Sequence, residues 1–301
     1  MELVQDKVRQ FQKFYDWAHS VSDERVKDWF LMQGYAPTLM ITGLYLLAVY
    51  IGPKLMKDRE PFQLKWALVI YNFAMVILNF HITTELLYNS TMLGYSYRCQ
   101  LVDYSYDPHE MRIAKALWWF YFSKCVEMLD TIFFIMRKKN NQVSFLHVYH
   151  HATMFPIWYM GVKWVAGGQS FFGAMVNSFI HVLMYTYYGV AGLGPEFQKY
   201  LWWKKYLTKL QLVQFVIGIL HALQSLATGC EFPQWMHWAL VFYAFTILLF
   251  FVNFYYHAYV KAQRLKAEKK KKAAVVNGAG DANGYIKNGD AKPKVETKKK
   301  K

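Results

Sequence analysis

The chain has 301 residues, 55% of them hydrophobic and 19% aromatic, with only 18% charged, whereas a soluble domain of this size carries roughly 25% charged residues. Its net charge of +15 is uneven, because residues 261–301 hold 14 Lys/Arg against 4 Asp/Glu. A greasy, nearly neutral body with a short basic tail excludes a water-soluble globule and gives no reason to expect nucleic-acid binding, anionic lipid being the nearer partner.

Residues 1–34 carry charges throughout (Asp6, Lys7, Arg9, Lys13, Asp16, Asp23, Glu24, Arg25). They lack the apolar run of a secretory signal peptide. Crossing a bilayer takes about 20 apolar residues, and seven stretches approach that: 35–53, 66–88, 113–136, 144–164, 170–193, 208–227 and 236–258. Several hold polar groups, so a strict hydropathy window would report fewer. Stretches of this length inside lipid are helices rather than barrel strands. The expected fold is an all-α polytopic membrane protein of about seven transmembrane helices. Residues 1–34 would form a lumenal N-terminal segment and 35–260 the transmembrane catalytic domain. Residues 261–301 would form a disordered basic cytosolic tail, given their low-complexity composition.

Loop charge predicts the orientation. Lys54, Lys57, Arg59 and Lys65 follow the first span, Arg137, Lys138 and Lys139 the third, and Lys199, Lys204 and Lys205 the fifth. With the tail, these place the C-terminus in the cytosol and the N-terminus in the lumen. The sequon Asn89-Ser90-Thr91 then falls in a lumenal loop, as a candidate glycosylation site. Cys99 and Cys230 also fall in lumenal loops, where a disulfide persists, the alternative being two free thiols. The terminal Lys298, Lys299, Lys300 and Lys301 make Lys298 and Lys299 a candidate dilysine signal for retrieval to the endoplasmic reticulum, the plainer reading being a lipid-touching basic patch.

Ionisable residues within spans are candidate functional groups because each is costly at a helix centre, roughly 2.5–3.5 kcal/mol on insertion scales. His147, His150 and His151 crowd five residues of the fourth span, with His147 sharing a helix face with each of the other two. The fifth span adds Asn177 and His181, the third Lys124, Glu127, Asp130 and Thr131, and the sixth Thr208, Gln211 and Gln214. Four helices with polar faces at similar depth predict one buried polar cavity.

In order and spacing, Lys124-x-x-Glu127-x-x-Asp130-Thr131, His147-x-x-His150-His151, Asn177-x-x-x-His181-x-x-Met184-Tyr185-x-Tyr187-Tyr188 and Thr208-x-x-Gln211-x-x-Gln214-Phe215 resemble the four boxes of the animal very-long-chain fatty acid elongases. The segment 140–146 and the lysine-rich ending look most like the elongase protein 4 branch. The resemblance implies six helices around a substrate tunnel and a 3-oxoacyl-CoA synthase, an acyltransferase condensing long or very-long-chain acyl-CoA with malonyl-CoA. It needs no cofactor and no metal. Its partners would be the two CoA substrates, the bilayer, and other elongases or the reductases and dehydratase of the elongation cycle.

No cysteine joins the cluster, so a neutral imidazole is the available nucleophile. The resemblance assigns that role to His150. His147 and His151 would orient it, and His181 with Asn177 would polarise a carbonyl or enolate. Candidate substrate and CoA-binding residues are Lys124, Glu127, Asp130, Tyr187, Tyr188, Gln211, Gln214, Lys204, Arg264, Arg137 and Lys139, the basic ones standing beside a topological reading of their charge. Two rivals remain. A membrane di-iron oxidase needs more histidines than the four that converge. A proton-coupled transporter predicts internal repeats with broken helices, and neither is visible.

Overall fold

A computed structural model describes residues 1–261, 263–265 and 268. The α-helices are α1 (Glu2–Ser20), α2 (Ala36–Leu55), α3 (Lys65–Met92), α4 (Pro108–Glu127), α5 (Leu129–Met136), α6 (Phe145–Val165), α7 (Ser170–Leu193), α8 (Lys204–Ala227) and α9 (Gln234–Tyr255). Short 3-10 turns and a π-helical run, Tyr256–Lys261, complete the regular structure, with no strand among the described residues. The chain divides into two units, Met1–Phe251, which holds the bundle, and Val252–Lys301. The expected retrieval lysines Lys298 and Lys299 and most of the basic tail lie outside the described residues.

Local signals account for where the important helices begin. Asp107 caps α4 by accepting from the backbone N–H groups of His109 (2.8 Å) and Glu110 (3.3 Å), with Pro108 in the first turn. That is a favoured pairing at a helix start, the cap satisfying orphan donors and proline lacking one. Ser144 caps α6 through the N–H of His147, 3.3 Å away, which fixes the histidine cluster in the opening turns. Pro156 inside α6 removes one intrahelical hydrogen bond just beyond it.

Packing follows from burial. α3 lies along α7 and against α4; α4 meets α6 and α7; α2 meets α6 and α5; α8 meets α7. α9 reaches α6 through Tyr149 to Thr246 (3.2 Å) and Thr153 to Tyr243 (2.9 Å). The central cluster includes Ile82, Leu86, Ile113, Leu117, Phe120, Tyr121, Phe155, Tyr159 and Phe171. α2, α3, α8 and the stretch that begins with α9 are long and apolar enough to cross a membrane. α4, α6 and α7 are diluted by polar side chains, most of them turned inward.

Two expectations change. The stretch 113–136 is not one helix: it breaks at Met128, where Met128 N–H bonds to Cys125 O (3.2 Å) and Thr131 N–H to Met128 O (3.2 Å). These are tightened, three-residue closures. Asn89 does not present itself for glycosylation. Its side chain is fully buried, its amide nitrogen donates to Glu85 O (2.7 Å), and its Oδ1 meets the His109 ring (2.8 Å). An acceptor asparagine needs a free amide at a surface loop, and Asn89 is inside the last turns of α3.

At the end of the bundle where α6 finishes, Cys99 and Cys230 form a disulfide with Cα atoms 5.6 Å apart. Arg25 ties the same end together. Its guanidinium binds Asp23 (2.7 Å), the carbonyl of Asp103 (2.6 Å) and that of Ala166 (3.1 Å), all but out of solvent. Gly168 has φ +51°, and a Cβ there would stand 2.8 Å from the backbone nitrogen of Val102, so both conformation and space require glycine. The disulfide closes a 131-residue separation, and its loss by Cys230→Ser is expected to cost about 2–5 kcal/mol. Thermal unfolding in detergent would check this. The variant should melt lower than the wild type without reductant and be insensitive to reductant, and equal melting temperatures would refute it.

Candidate active site

Polar residues of α4 and α7 meet in one buried network. Lys124 Nζ donates to Glu127 Oε1 (2.7 Å) and to Asn177 Oδ1 (3.3 Å). His181 Nδ1 bonds the same Glu127 oxygen (3.0 Å), with Ser123 Oγ at 3.4 Å. Lys124 and Glu127 are each only 1% exposed. A charge buried so deeply is tolerated only when paired. Glu127 is the hub, and its Oε2 has no partner among the described residues.

This network fixes hydrogen-bond polarity. A lysine ammonium only donates, so Asn177 must turn its Oδ1 toward Lys124, leaving its two amide N–H donors for another acceptor. An ionised carboxylate only accepts, so His181 Nδ1 carries its hydrogen and Nε2 is the basic nitrogen. Both residues thereby gain a defined chemical face, one donating and one accepting.

The break at Met128 aims the next turn elsewhere. Thr131 Oγ1 lies 2.8 Å from His147 Nε2 and 3.0 Å from Tyr45 OH, tying α5 to α6 and α2. Asp130 accepts from Tyr185 OH at 2.8 Å. His147 and His151 rings stand 4.4 Å apart, and those of His150 and His151 5.2 Å apart at right angles. His150 is half-buried, and its ring makes no hydrogen bond among the described residues. It faces a cavity of about 240 Å³ whose lining includes Asn177 and Gln214 at the same end. From there the wall is mainly aliphatic and aromatic, running between α6, α7, α8 and α9 to Val165 and Phe232. Fifteen residues of α6 separate His150 from Val165, about 22 Å at the helical rise.

Of the other predicted residues, Gln211 donates weakly to Met184 Sδ (3.6 Å), and Lys204 sits 5.9 Å from the Tyr187 ring centre. Tyr187 and Tyr188 rings are 5.7 Å apart. Arg137 is half-buried and Lys139 exposed where α5 ends. Arg264 is exposed and belongs to the second unit. Tyr45 and Ser123 join the network without having been singled out. Ser123 is an isolated polar residue next to Lys124, and Tyr45 sits in an otherwise apolar span with no spacing signal. Among the described residues no group of three or more His, Cys, Asp or Glu is placed to hold a metal ion.

Residues 30–267 match the family model described as ELO: GNS1/SUR4 family. The chain is 57% identical over 287 residues to Very long chain fatty acid elongase 4 of Homo sapiens, covering 95% of this chain and 90% of that protein. It is 56% identical over 289 residues to the protein of that name from Mus musculus, covering 94% and 93%. It is 44% identical over 299 residues to Very long chain fatty acid elongase 2 of Mus musculus, covering 98% and 100%.

Proposed function

The chain belongs to the ELO (GNS1/SUR4) family, and from that premise we propose that it is a fatty acid elongase of the membrane, condensing a long or very-long-chain acyl-CoA with malonyl-CoA. The observation that carries the reading is His150 at the head of an apolar cavity, flanked by Asn177 and backed by the Lys124–Glu127–His181 network. The apolar length suits an acyl chain, and the polar head suits the reacting thioester.

The proposed steps balance. The His150 imidazole attacks the acyl-CoA carbonyl; the C–S bond breaks, CoA leaves as the thiol after taking a proton, and an acyl-imidazole remains. Malonyl-CoA then loses CO2, and the enolate so formed attacks the acyl-imidazole carbonyl. The C–N bond breaks, the leaving imidazole takes up one proton from solvent and is restored, and 3-oxoacyl-CoA is released. Decarboxylation supplies the electron pair for the new C–C bond, so the chemistry calls for neither cofactor nor metal. Asn177 N–H groups are suited to an oxyanion, and His181 Nε2 to accepting or returning a proton. Thr131 holds His147, which with His151 sets the position of His150.

The further parts of the reading rest on sequence. Six helices would enclose the acyl tunnel, with the bilayer as surrounding partner. The enzyme would sit in the endoplasmic reticulum with its tail cytosolic, supplying the reductases and dehydratase that complete each cycle. CoA phosphates would meet Lys204, Arg137 and Lys139 near the cytosolic mouth.

The direct test is an assay of microsomes carrying the chain, with radiolabelled malonyl-CoA, acyl-CoAs of graded length and a chelator. Malonyl-dependent products longer by two carbons, undiminished by chelation, are expected. No incorporation with any acyl-CoA, or activity requiring iron and oxygen, would sink the proposal.

A further inference from the structure

Helix α1 has a face that the rest of the bundle does not cover. Val4, Val8, Phe11, Phe14 and Trp17 are each more than half exposed. At 3.6 residues per turn they fall, with Tyr15, on a single stripe along the helix. Gln5, Arg9, Gln12, Lys13 and Asp16 fall on the opposite side, where Gln12 Nε2 donates to Asp16 Oδ1 at 2.9 Å. From residue 4 to residue 20 every residue is exposed except Ala18 and His19, which are half-buried. Large apolar side chains left bare over four turns mark an interaction surface.

The foot of the helix says what covers it. Trp164 Nε1, in the last turn of α6, donates to Ala18 O at 2.8 Å, and the Asp23 N–H donates to Lys163 O at 2.9 Å. α1 therefore leaves the bundle at the level where α6 ends. Exposed aromatic side chains stand at that same end: Tyr104, whose hydroxyl donates to Trp164 O at 3.1 Å, Tyr97 beside the Cys99 disulfide, and Trp235 in the first turn of α9. Tyr and Trp gather where a bilayer meets water, so α1 sets out from headgroup level. A helix that is apolar on one side and charged on the other lies in that layer, its stripe turned toward the acyl chains. Its charges choose the lipid. Lys7, Arg9 and Lys13 are balanced by Glu2, Asp6 and Asp16, so the side chains of α1 give no net attraction to anionic headgroups.

We propose that α1 is an in-plane membrane anchor, its apolar stripe seated in the surface of a zwitterionic bilayer at the end of the bundle where α6 finishes. This contact is separate from the candidate active site and independent of the reaction performed there. A protein partner would need an apolar groove at headgroup level, whereas the bilayer already extends beneath the whole helix, about 28 Å at the helical rise. Insertion across the membrane is closed to α1, because Arg9, Lys13 and Asp16 would enter the hydrocarbon.

The experiment places an environment-sensitive fluorophore on the full chain through Val8→Cys, Phe11→Cys, Arg9→Cys or Lys13→Cys, one at a time, in phosphatidylcholine nanodiscs holding a single copy. All four positions are exposed, so the label displaces no packed side chain. The unaltered chain, labelled in parallel, measures any signal from Cys125, the one cysteine outside the disulfide. Emission from the Val8 and Phe11 positions should be shifted to the blue. Lipids brominated on the upper acyl chain should quench it at least about twofold more than emission from the Arg9 and Lys13 positions. Equal quenching at all four positions overturns the proposal. So does a blue shift that the brominated lipids leave untouched, or one that appears only in discs holding two copies, because a second chain is then the cover. Exchanging part of the phosphatidylcholine for phosphatidylserine, or raising the salt, should leave the contrast unchanged. A contrast that needs the anionic lipid and fades with salt overturns the zwitterionic assignment.

Discussion

His150→Ala abolishes two-carbon extension, lowering turnover by at least about 10³-fold, the scale seen when a nucleophile is removed from an otherwise intact site. The expectation follows from position. Among the clustered histidines, His147 is held by Thr131 at 2.8 Å and His181 by Glu127 at 3.0 Å, while the His150 ring faces the cavity unbonded. Two measurements separate nucleophilic catalysis from mere positioning. With acyl-CoA alone, the wild type should release CoA in a burst equal to the enzyme present, and His150→Ala should release none. His147→Ala should slow the burst without removing it, because it loses an orienting contact and not the attacking atom. A His150→Ala enzyme that keeps a tenth of its activity, or still shows the burst, would remove His150 from the role.

The helices were legible because lipid leaves the backbone so few choices. The predicted stretch 170–193 coincides with α7, and 35–53 differs from α2 by one or two residues at each end. The misreadings have local causes. α1 is amphipathic, with Val4, Val8 and Phe11 exposed along it, and its charges hid it from a search for apolar runs. The break at Met128 leaves no Pro or Gly signal. It places Glu127 toward α7 and Thr131 toward α2 and α6, so a face drawn on one ideal helix does not describe it. Asn89 read as a loop sequon because a motif carries no burial, while α3 runs on to Met92.

The chemistry was legible for a related reason. Lys124, Glu127, Asn177 and His181 are too costly in a membrane to be there without partners, so their spacing alone pointed to a shared interior. What spacing could not give was connectivity: that Glu127 accepts from both Lys124 and His181, or that Tyr45 of an apolar span completes the contact at Thr131. Those depend on how helices rotate against one another, which no single segment records.

That connectivity makes the Glu127 carboxylate the most exacting part of the fold. Glu127→Ala would strand the Lys124 ammonium, 1% exposed, with only Asn177 Oδ1 for company. Breaking a buried pair in this way costs about 3–5 kcal/mol, and thermal unfolding in detergent should register it as a lower melting temperature. Removing both charges is different, since a buried ion pair replaced by apolar residues of similar size is often neutral in stability. Lys124→Met combined with Glu127→Leu should therefore recover most of the lost stability. It should not recover elongation. Without Glu127 the His181 tautomer is no longer fixed, and without Lys124 the Asn177 amide can turn its oxygen to the cavity, where an oxyanion would meet it. The network would then be a device for orienting two side chains, with folding stability as its cost. A single variant as stable as the wild type would show that the charges are solvated. A double variant that elongates normally would show that the orientation of Asn177 and His181 does not matter to the reaction.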